Sequence, residues 1–341
     1  MRDVARFAGV SHQTVSRVLN GHPNVRPETR QRVLDAMEAL NYRRNLAART
    51  LVTRRSRTLG IIGFETTLFG PASMLYGIED AARAAGYFVS VTTVRSLDRG
   101  AVLDALDRLE QQAVEAIIAI APKPSVIGAL VGAPSALPCV GVGGAGPEGA
   151  DAVRTVRIDN DAGARLATRH LLDLGHATVH HVAGPADWPE AQERIEGWRS
   201  ALYEAGAIVP PVYPLEPGER GWNARCGYEQ GRILGADPSV TAIFCGNDQI
   251  ALGLLRGLHD AGRRVPDEVS VVGFDDMPDA GYFLPPLTTV RQDFTELGRR
   301  GIAVLLEMNS ADRWAAGGVP EHIRLPCELV VRASSTPPPT R

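Results

Sequence analysis

Apolar and polar positions alternate along most of the chain in a regular way. From residue 58 onwards, short runs of consecutive apolar residues alternate with longer segments in which apolar residues recur every three or four positions. The runs predict buried strands, and the longer segments predict amphipathic helices that cover them. The predicted strands are LGIIGF, YFVSVTTV, AIIAI, LPCVGV, TVRID, TVHHVAG, AIFCG and VSVVGFDD. This alternation is typical of an α/β fold with parallel sheets, and it is long enough for two such units in tandem.

The first 44 residues follow a helical pattern. Residues 2–20 predict two short helices, and Gly9 between them suits a tight turn that needs a positive φ. Ser11 is placed to cap the second helix. A third helix is predicted to begin near Pro27, because proline is favourable at the first helical position. The apolar residues predicted to face inwards are Val4, Ala5, Ala8, Val15, Val18, Leu19, Val33, Leu34, Met37 and Leu40.

The second helix carries polar side chains on the face that its apolar residues do not occupy. They are His12, Gln13, Ser16, Arg17 and Asn20. Arginine can bind O6 and N7 of guanine, and glutamine can pair with adenine or bridge neighbouring bases. The pattern therefore indicates a helix-turn-helix, whose second helix enters the major groove of DNA. The alternative interpretation is an ordinary polar helix at a chain terminus.

Charge is divided unevenly along the chain. The 341 residues have a net charge of −3, but residues 1–57 hold 12 arginines and 4 acidic residues, a balance of +8. The remainder holds 24 basic and 35 acidic residues, a balance of −11. A basic terminal unit suits contacts with phosphates, and an acidic body disfavours nonspecific binding to DNA.

The cysteines and the start of the chain favour a cytoplasmic protein. The four cysteines form no CxxC pair, which argues against a zinc site or a disulfide framework. Met1 leads directly into a predicted helix, so no signal peptide is predicted, and no apolar run approaches membrane-spanning length. GVGGAG at residues 141–146 fits a dinucleotide-binding loop, but the helix that such a loop needs does not follow. We expect no metal or cofactor.

Several longer motifs follow one another in a fixed order. The N-terminal block contains AGVSHQTVSRVLNG, VRPETRQRVLDAMEALNY and NLAARTL. Later motifs are DNDAGARLATRHLLDLGH, VAGPADWPEAQERIEGWRSAL, CGNDQIALG, VSVVGFDD and LTTVRQDFTELGRRG. Together they resemble the lactose repressor/galactose repressor family of bacterial transcription regulators. The resemblance extends to about residue 332, and the number, order and spacing of the motifs make it specific.

The resemblance implies an N-terminal helix-turn-helix headpiece and a periplasmic-binding-protein-like domain with two parallel-sheet lobes. The implied divisions are a headpiece (1–44), a hinge helix and linker (45–57) and a two-lobed effector-binding and dimerisation domain (58–333). Lobe 1 would comprise about 58–159 and 288–320, and lobe 2 about 160–287 and 321–333. The chain would thus cross between the lobes near Asp159, Leu287 and Glu321. The tail at residues 334–341 has a composition that predicts disorder.

The resemblance also implies which residues contact DNA. His12, Gln13 and Arg17 would choose the sequence, while phosphate contacts fix the register. Leu51, on the hinge helix, would insert into the minor groove at the central base step, and packing on the sensing domain is its alternative role. The implied set is His12, Gln13, Thr14, Ser16, Arg17, Asn20, Asn24, Tyr42, Asn45, Ala48 and Leu51.

A second implied set binds an effector between the lobes. Arg194 and Asp275 carry charged groups that suit the vicinal hydroxyls of a sugar, and Trp222 offers an aromatic face to a pyranose. A structural ion pair is the alternative role of Arg194 and Asp275. The implied set is Thr66, Thr67, Phe69, Arg194, Trp222, Asn247, Asp275 and Phe294.

Four residues depart from the family's pattern. Arg26 replaces a small hydroxyl residue that would cap the third helix, and Arg44 stands where proline is usual. Gly143 and Gly144 stand where some relatives place an acidic or polar ligand. These glycines leave the identity of the sugar open.

The predicted function is sequence-specific repression controlled by a small molecule. The expected partners are near-palindromic double-stranded operator DNA, a second copy of the chain in a homodimer, and a saccharide effector, with a galactoside-like compound favoured. A purine or nucleoside effector, or corepression, is the main alternative. A cytoplasmic sugar-binding protein would lack the headpiece, and an enzyme would need a nucleophile–base arrangement that the sequence does not offer.

Overall fold

The computed structural model describes residues 1–19, 22–42, 55–64, 67–96, 98–120, 123–144, 153–215, 219–309 and 322–339. The chain forms two compact units, Met1–Ser56 and Arg57–Arg341. The first unit is helical, and the second combines helices with parallel sheets. Among the described helices, none is long and apolar enough to cross a membrane.

Three short helices form the described part of the first unit. They are α1 (Arg2–Phe7), α2 (His12–Leu19) and α3 (Pro27–Ala39). Gly9 has a φ of +62°, and the Ser11 hydroxyl accepts a hydrogen bond of 3.1 Å from the Thr14 amide, so the predicted turn and cap are both present. The helices bury a small apolar core formed by Val4, Ala5, Ala8, Val15, Val18, Val33 and Ala36.

The inward face of α3 is narrower than the sequence pattern predicts. Val33 is fully buried, whereas Leu34 and Leu40 are 44% and 40% exposed. Leu34 lies about 100° around the helix from Val33, and Leu40 follows the last helical residue. The prediction that Leu34 and Leu40 are buried is therefore wrong, because two short partner helices cover only one stripe of α3.

The second unit contains two six-stranded sheets. The strands of the first sheet are β1 (Thr58–Phe64), β2 (Phe88–Val94), β3 (Ala116–Ile120), β4 (Cys139–Val142), β5 (Arg154–Ile158) and β11 (His322–Leu325). Their order is β11-β5-β4-β3-β1-β2, and all neighbours are parallel. We call the part of the molecule built on this sheet lobe 1.

The second sheet has the same plan. Its strands are β6 (His180–Pro185), β7 (Tyr213–Leu215), β8 (Ala242–Cys245), β9 (Ser270–Asp275), β10 (Thr288–Arg291) and β12 (Glu328–Val330). Their order is β12-β10-β9-β8-β6-β7, in which the edge strand β12 runs antiparallel to β10 and the other neighbours are parallel. We call this part lobe 2.

Helices cover both sheets. They are α4 (Phe69–Ala84), α5 (Arg99–Gln111), α6 (Pro124–Val131), α7 (Asn160–Asp173), α8 (Pro189–Glu204), α9 (Ala224–Gly235), α10 (Asp248–Asp260) and α11 (Phe294–Asn309). Glycines allow α9 and α10 to approach closely, since a Cβ added to Gly253 would lie 1.7 Å from the Ala224 carbonyl oxygen.

Two of the three predicted crossings between the lobes fall elsewhere. The chain enters lobe 2 after β5, close to the predicted crossing at Asp159, but it returns after β10 and not near Leu287. The third crossing lies between β11 and β12, later than Glu321. The second crossing is displaced because β10 contains the fully buried polar residues Thr288 and Thr289, so it lacks the apolar run that marks a central strand. The third is displaced because β11 and β12 have only four and three residues, with little apolar pattern.

The tail predicted to be disordered packs against lobe 2. Ser334 is fully buried, and its hydroxyl donates to the Val271 carbonyl at 2.6 Å and accepts from the Thr288 amide at 2.8 Å. The Thr336 amide donates to the Ser270 hydroxyl at 3.0 Å. The disorder prediction is therefore wrong for residues 334–339, because hydrogen bonds to the sheet replace the apolar burial that the tail lacks. Residues 340 and 341 lie outside the described range.

Candidate functional site

The carboxyl ends of strands from both sheets border a cleft between lobe 1 and lobe 2. The space inside the cleft, including the part that is open to solvent, is about 600 Å³. Six residues of the predicted effector set line it: Phe69, Arg194, Trp222, Asn247, Asp275 and Phe294. Thr67 is exposed and is not among the lining residues, and Thr66 lies outside the described residues.

Arg194 is a buried cation held on four sides. Its Nε donates to Asn160 Oδ1 at 2.9 Å, its Nη1 donates to the Gly246 carbonyl, and its Nη2 lies 3.9 Å from Asp275 Oδ1. The guanidinium also stacks on the Phe274 ring, with 3.8 Å from Cζ to the ring centre. Burial lowers the pKa of Arg194, and the nearby Asp275 carboxylate opposes this shift. The group is therefore positioned rigidly at the cleft.

Asp275 supplies the carboxylate beside this cation. Its Oδ1 accepts a hydrogen bond of 2.5 Å from Gln292 Nε2, which comes from the segment after β10. Burial raises the pKa of Asp275 to about 6, while Arg194 and Gln292 act in the opposite direction. Its φ of +113° lies in the region that favours glycine, which marks stored backbone strain at the end of β9. Arg194 and Asp275 thus form an ion pair, and both residues also line the cleft.

Aromatic rings from both lobes form the apolar walls. Trp188 and Trp222 meet edge to face with ring centres 5.7 Å apart, and Phe69 meets Phe294 in the same way at 5.9 Å. Trp222 lies so close to β6 that a Cβ added to Gly184 would be 2.2 Å from its ring. Because Gly184 has no side chain, the Trp222 ring can pack directly against β6 and form part of the cleft wall.

Asn247 lines the cleft, but both ends of its side chain have protein partners. Its Oδ1 accepts from the Ile250 amide at 2.8 Å and caps α10, and its Nδ2 donates to the Trp222 carbonyl at 3.4 Å. The neighbouring Asp248 accepts hydrogen bonds from the Thr289 hydroxyl and the Met277 amide. Asp248 therefore has a structural role, joining α10 to β10 and to the segment after β9.

The sequence analysis missed several lining residues, of which Glu190 and Trp188 are the most informative. Glu190 Oε1 accepts a hydrogen bond of 3.0 Å from the Gly144 amide, which joins lobe 2 to lobe 1. Glu190 Oε2 is buried without a partner among the described atoms. One signal could have located Glu190: it precedes Arg194 by four residues, so both side chains lie on one face of α8.

The predicted DNA-reading residues lie on the open face of the helix-turn-helix unit. His12, Gln13 and Arg17 are exposed, and Thr14 and Ser16 are half-buried. Asn24 is exposed, and Tyr42 is half-buried against the headpiece core. As Arg26 predicts, α3 begins without a side-chain cap and has Pro27 in its first turn. Four members of the set lie outside the described residues: Asn20, Asn45, Ala48 and Leu51.

One chain that combines a helix-turn-helix unit with a two-lobed domain, whose lobes border a cleft lined by aromatic and charged side chains, defines a class of DNA-binding protein with a ligand-binding domain. A family model described as bacterial regulatory proteins, lacI family, matches residues 1–45, and one described as a periplasmic binding protein-like domain matches residues 168–335. The lactose operon repressor of Escherichia coli (strain K12) is 32% identical over 342 residues, which cover 99% of this chain and 91% of that protein. The repressor PurR of Haemophilus influenzae is 31% identical over 341 residues, 98% of each protein.

Solved structures agree with this class over nearly the whole chain. The Lac repressor dimer bound to operator and the anti-inducer ONPF has a TM-score of 0.81 and 32% identity, with 97% of both chains covered. The complex of the regulator CelR with cellobiose has a TM-score of 0.69 and 31% identity over 97% of this chain and 98% of that one. The chain belongs to the lacI family of bacterial regulatory proteins. It is a DNA-binding transcriptional repressor with a ligand-binding domain, and the predicted fold class is confirmed.

Proposed function

We propose that the operator affinity of this repressor is controlled by a saccharide bound between the lobes, with a galactoside-like compound favoured. One observation carries the proposal: Arg194 Nη2 and Asp275 Oδ1, 3.9 Å apart, line a cleft whose walls include Trp188 and Trp222. A fixed donor and a fixed acceptor at this spacing suit two adjacent hydroxyls, and an aromatic ring suits the apolar face of a pyranose. CelR is solved with cellobiose, and a lacI-family regulator from Enterococcus faecium, 27% identical, with ribose.

In the proposed mechanism, two copies of the chain place two headpieces on a near-palindromic operator. The exposed His12, Gln13 and Arg17 would read bases in each half-site, and Leu51 of the hinge would bend the centre. The Lac repressor relative is solved as a dimer on its operator. An effector that binds the DNA-incompetent state about 100-fold more tightly would shift the equilibrium by about 2.7 kcal/mol per site.

The test is a thermal-shift screen of the full chain against monosaccharides, galactosides, glucosides, purines and nucleosides. A ligand at about 100 times its dissociation constant stabilises the folded state by about 2.7 kcal/mol, which the screen resolves. A saccharide hit that also changes operator affinity supports the proposal, and the direction of that change separates induction from corepression. Hits among purines alone would replace the sugar with a base as the effector.

If saccharide binding closes the cleft, an ion pair between the two lobes should contribute to the binding affinity. Lys123, the sole lysine of the chain, lies just before α6 of lobe 1 and places Nζ 2.5 Å from Oδ2 of Asp187, which precedes α8 of lobe 2; the two side chains are 28% and 37% exposed. Because partly exposed ion pairs contribute about 0.2–1 kcal/mol, we expect Lys123→Met to weaken saccharide binding by up to about fivefold in calorimetry.

The pairing itself can be tested with the partner residue. Asp187→Asn should weaken binding by the same amount, and the double variant should lose no more than either single variant, because both remove one interaction. Fully additive losses would show that Lys123 and Asp187 act independently of each other.

A further inference from the structure

Glu190 offers a free acceptor to whatever occupies the cleft. It lies in the first turn of α8 and lines the cleft beside Trp188. The Gly144 amide occupies Oε1 at 3.0 Å, and Oε2 is buried with no hydrogen-bond partner among the described atoms. A buried acceptor without a donor is unfavourable, and a donor on a bound molecule would remove that cost.

Among the described residues that line the cleft, no free cation is available to balance the negative charge of Glu190. Three ionisable side chains occur among the described residues that line it: Glu190, Arg194 and Asp275. The Arg194 guanidinium is already held by Asp275, by Asn160 and by the Gly246 carbonyl. The lining groups thus comprise two carboxyls and one cation, and that cation is committed to the other carboxyl.

Two described cations outside the lining set are paired with other carboxylates. Lys123 pairs with Asp187 at 2.5 Å, and Arg157 of β5 pairs with Glu193 of α8. Among the described residues of lobe 1, only the Gly144 amide donates a hydrogen bond to Glu190. Burial accordingly raises the pKa of Glu190 to about 7, an effect that the Arg194 charge reduces and the Glu193 charge reinforces.

We propose that Glu190 selects effectors by charge: its free carboxylate oxygen accepts a hydrogen bond from an amino or hydroxyl group of the saccharide, and the cleft rejects sugars that carry a phosphate or a carboxylate. The inference rests on the proposed saccharide effector. An ammonium group supplies a donor and also the missing positive charge, so an amino sugar gains most from this carboxylate. An anionic substituent would meet a second negative charge in a water-poor site, where repulsion is strong.

The experiment measures dissociation constants of the full chain by calorimetry at pH 7.5, above the pKa of about 7 that burial gives Glu190, so that most of the free protein carries the carboxylate. The probes are galactose, galactosamine and galactose 6-phosphate, with glucose, glucosamine and glucose 6-phosphate as the epimeric set. Glu190→Gln is the test variant, because glutamine keeps the shape and can still accept from Gly144. Glu196→Gln is the matched control: Glu196 lies on the same helix, is exposed and pairs with Arg199 at 2.6 Å. Thermal unfolding checks that both variants fold.

The expected result is a preference of the wild type and Glu196→Gln for the amino sugar over its parent sugar, with the phosphate weakest. In Glu190→Gln the ratio of amino-sugar to parent affinity should fall by about tenfold or more, and the phosphorylated sugar should gain affinity relative to its parent. If a parent sugar binds but these ratios are the same in Glu190→Gln and wild type, the charge-selection role is overturned while the saccharide effector stands. If none of the six probes binds while a purine does, the saccharide proposal fails, and this inference fails with it.

Discussion

Replacing Arg194 with alanine is expected to abolish the response to effector and to lower the free energy of unfolding by about 3–5 kcal/mol. The substitution leaves the buried Asp275 carboxylate with Gln292 as its remaining side-chain donor. It also removes the donors to Asn160 Oδ1 and the Gly246 carbonyl. Without Arg194 the pKa of Asp275 should rise above about 6, since the cation that favours its charged form is gone. The neutral acid would be a weaker acceptor for a sugar hydroxyl.

Chemical denaturation and effector titration measure the two effects of Arg194→Ala separately. Arg199→Ala is the matched control, because Arg199 lies on the same helix and its ion pair with Glu196 is partly exposed, with the two side chains 34% and 59% exposed. The control should change unfolding free energy by less than about 1 kcal/mol and leave effector binding intact. An Arg194→Ala protein that binds effector as tightly as wild type would assign the Arg194–Asp275 pair a purely structural role.

Removing both Gln13 and Arg17 is expected to weaken operator binding by about 2–6 kcal/mol, at least about thirtyfold, because each good base contact contributes about 1–3 kcal/mol. Both side chains are exposed on α2, on the face opposite the buried Val15 and Val18. Their loss should leave the headpiece core intact. Fluorescence anisotropy at one salt concentration, with operator DNA selected by the wild-type protein from a random pool, measures the change.

The control for this double variant has the same composition and charge. Gln31 and Arg32 are exposed on α3, which follows the recognition helix, and Gln31 Nε2 donates to Asp35 Oδ1. Gln31→Ala with Arg32→Ala should reduce operator and nonspecific DNA binding by similar, small factors. If both double variants lose operator affinity equally, α2 contributes only charge and does not read bases.

Local sequence rules were sufficient for the headpiece and for most strands. Gly9 and Ser11 specify a turn and a cap through the conformational freedom of glycine and the hydroxyl of serine, and neither depends on remote contacts. Runs such as AIIAI can only be buried, so the predicted strands agree with the observed ones. The short strands β7, β10, β11 and β12 were not predicted, because they have three or four residues each and little apolar pattern.

The residues of the cleft also fall into two groups, those that the sequence identified and those that it missed. The family resemblance implied Arg194, Trp222 and Asp275, and all three line the cleft. Glu190 was missed, because a glutamate in the first turn of a helix is normally a solvated residue that favours the helix dipole. Its spacing of four residues from Arg194 places it on the same helix face but does not show that it is buried. Only the packing of lobe 1 against α8, with the Gly144 amide above it, makes this carboxylate a buried group in the cleft.

A physical reason separates what the sequence determined from what only the tertiary structure decided. Periodicity and single-residue geometry act within a few residues, so the chain alone specifies its helices, long strands, headpiece turn and family. Whether a polar side chain is buried depends on partners from distant segments: Thr288 and Ser334, 46 residues apart, bury each other's polar groups in lobe 2. The tertiary structure therefore decided the lobe crossings, the ordered tail and the free carboxylate oxygen of Glu190, because each depends on hydrogen-bond partners or packing from distant parts of the chain.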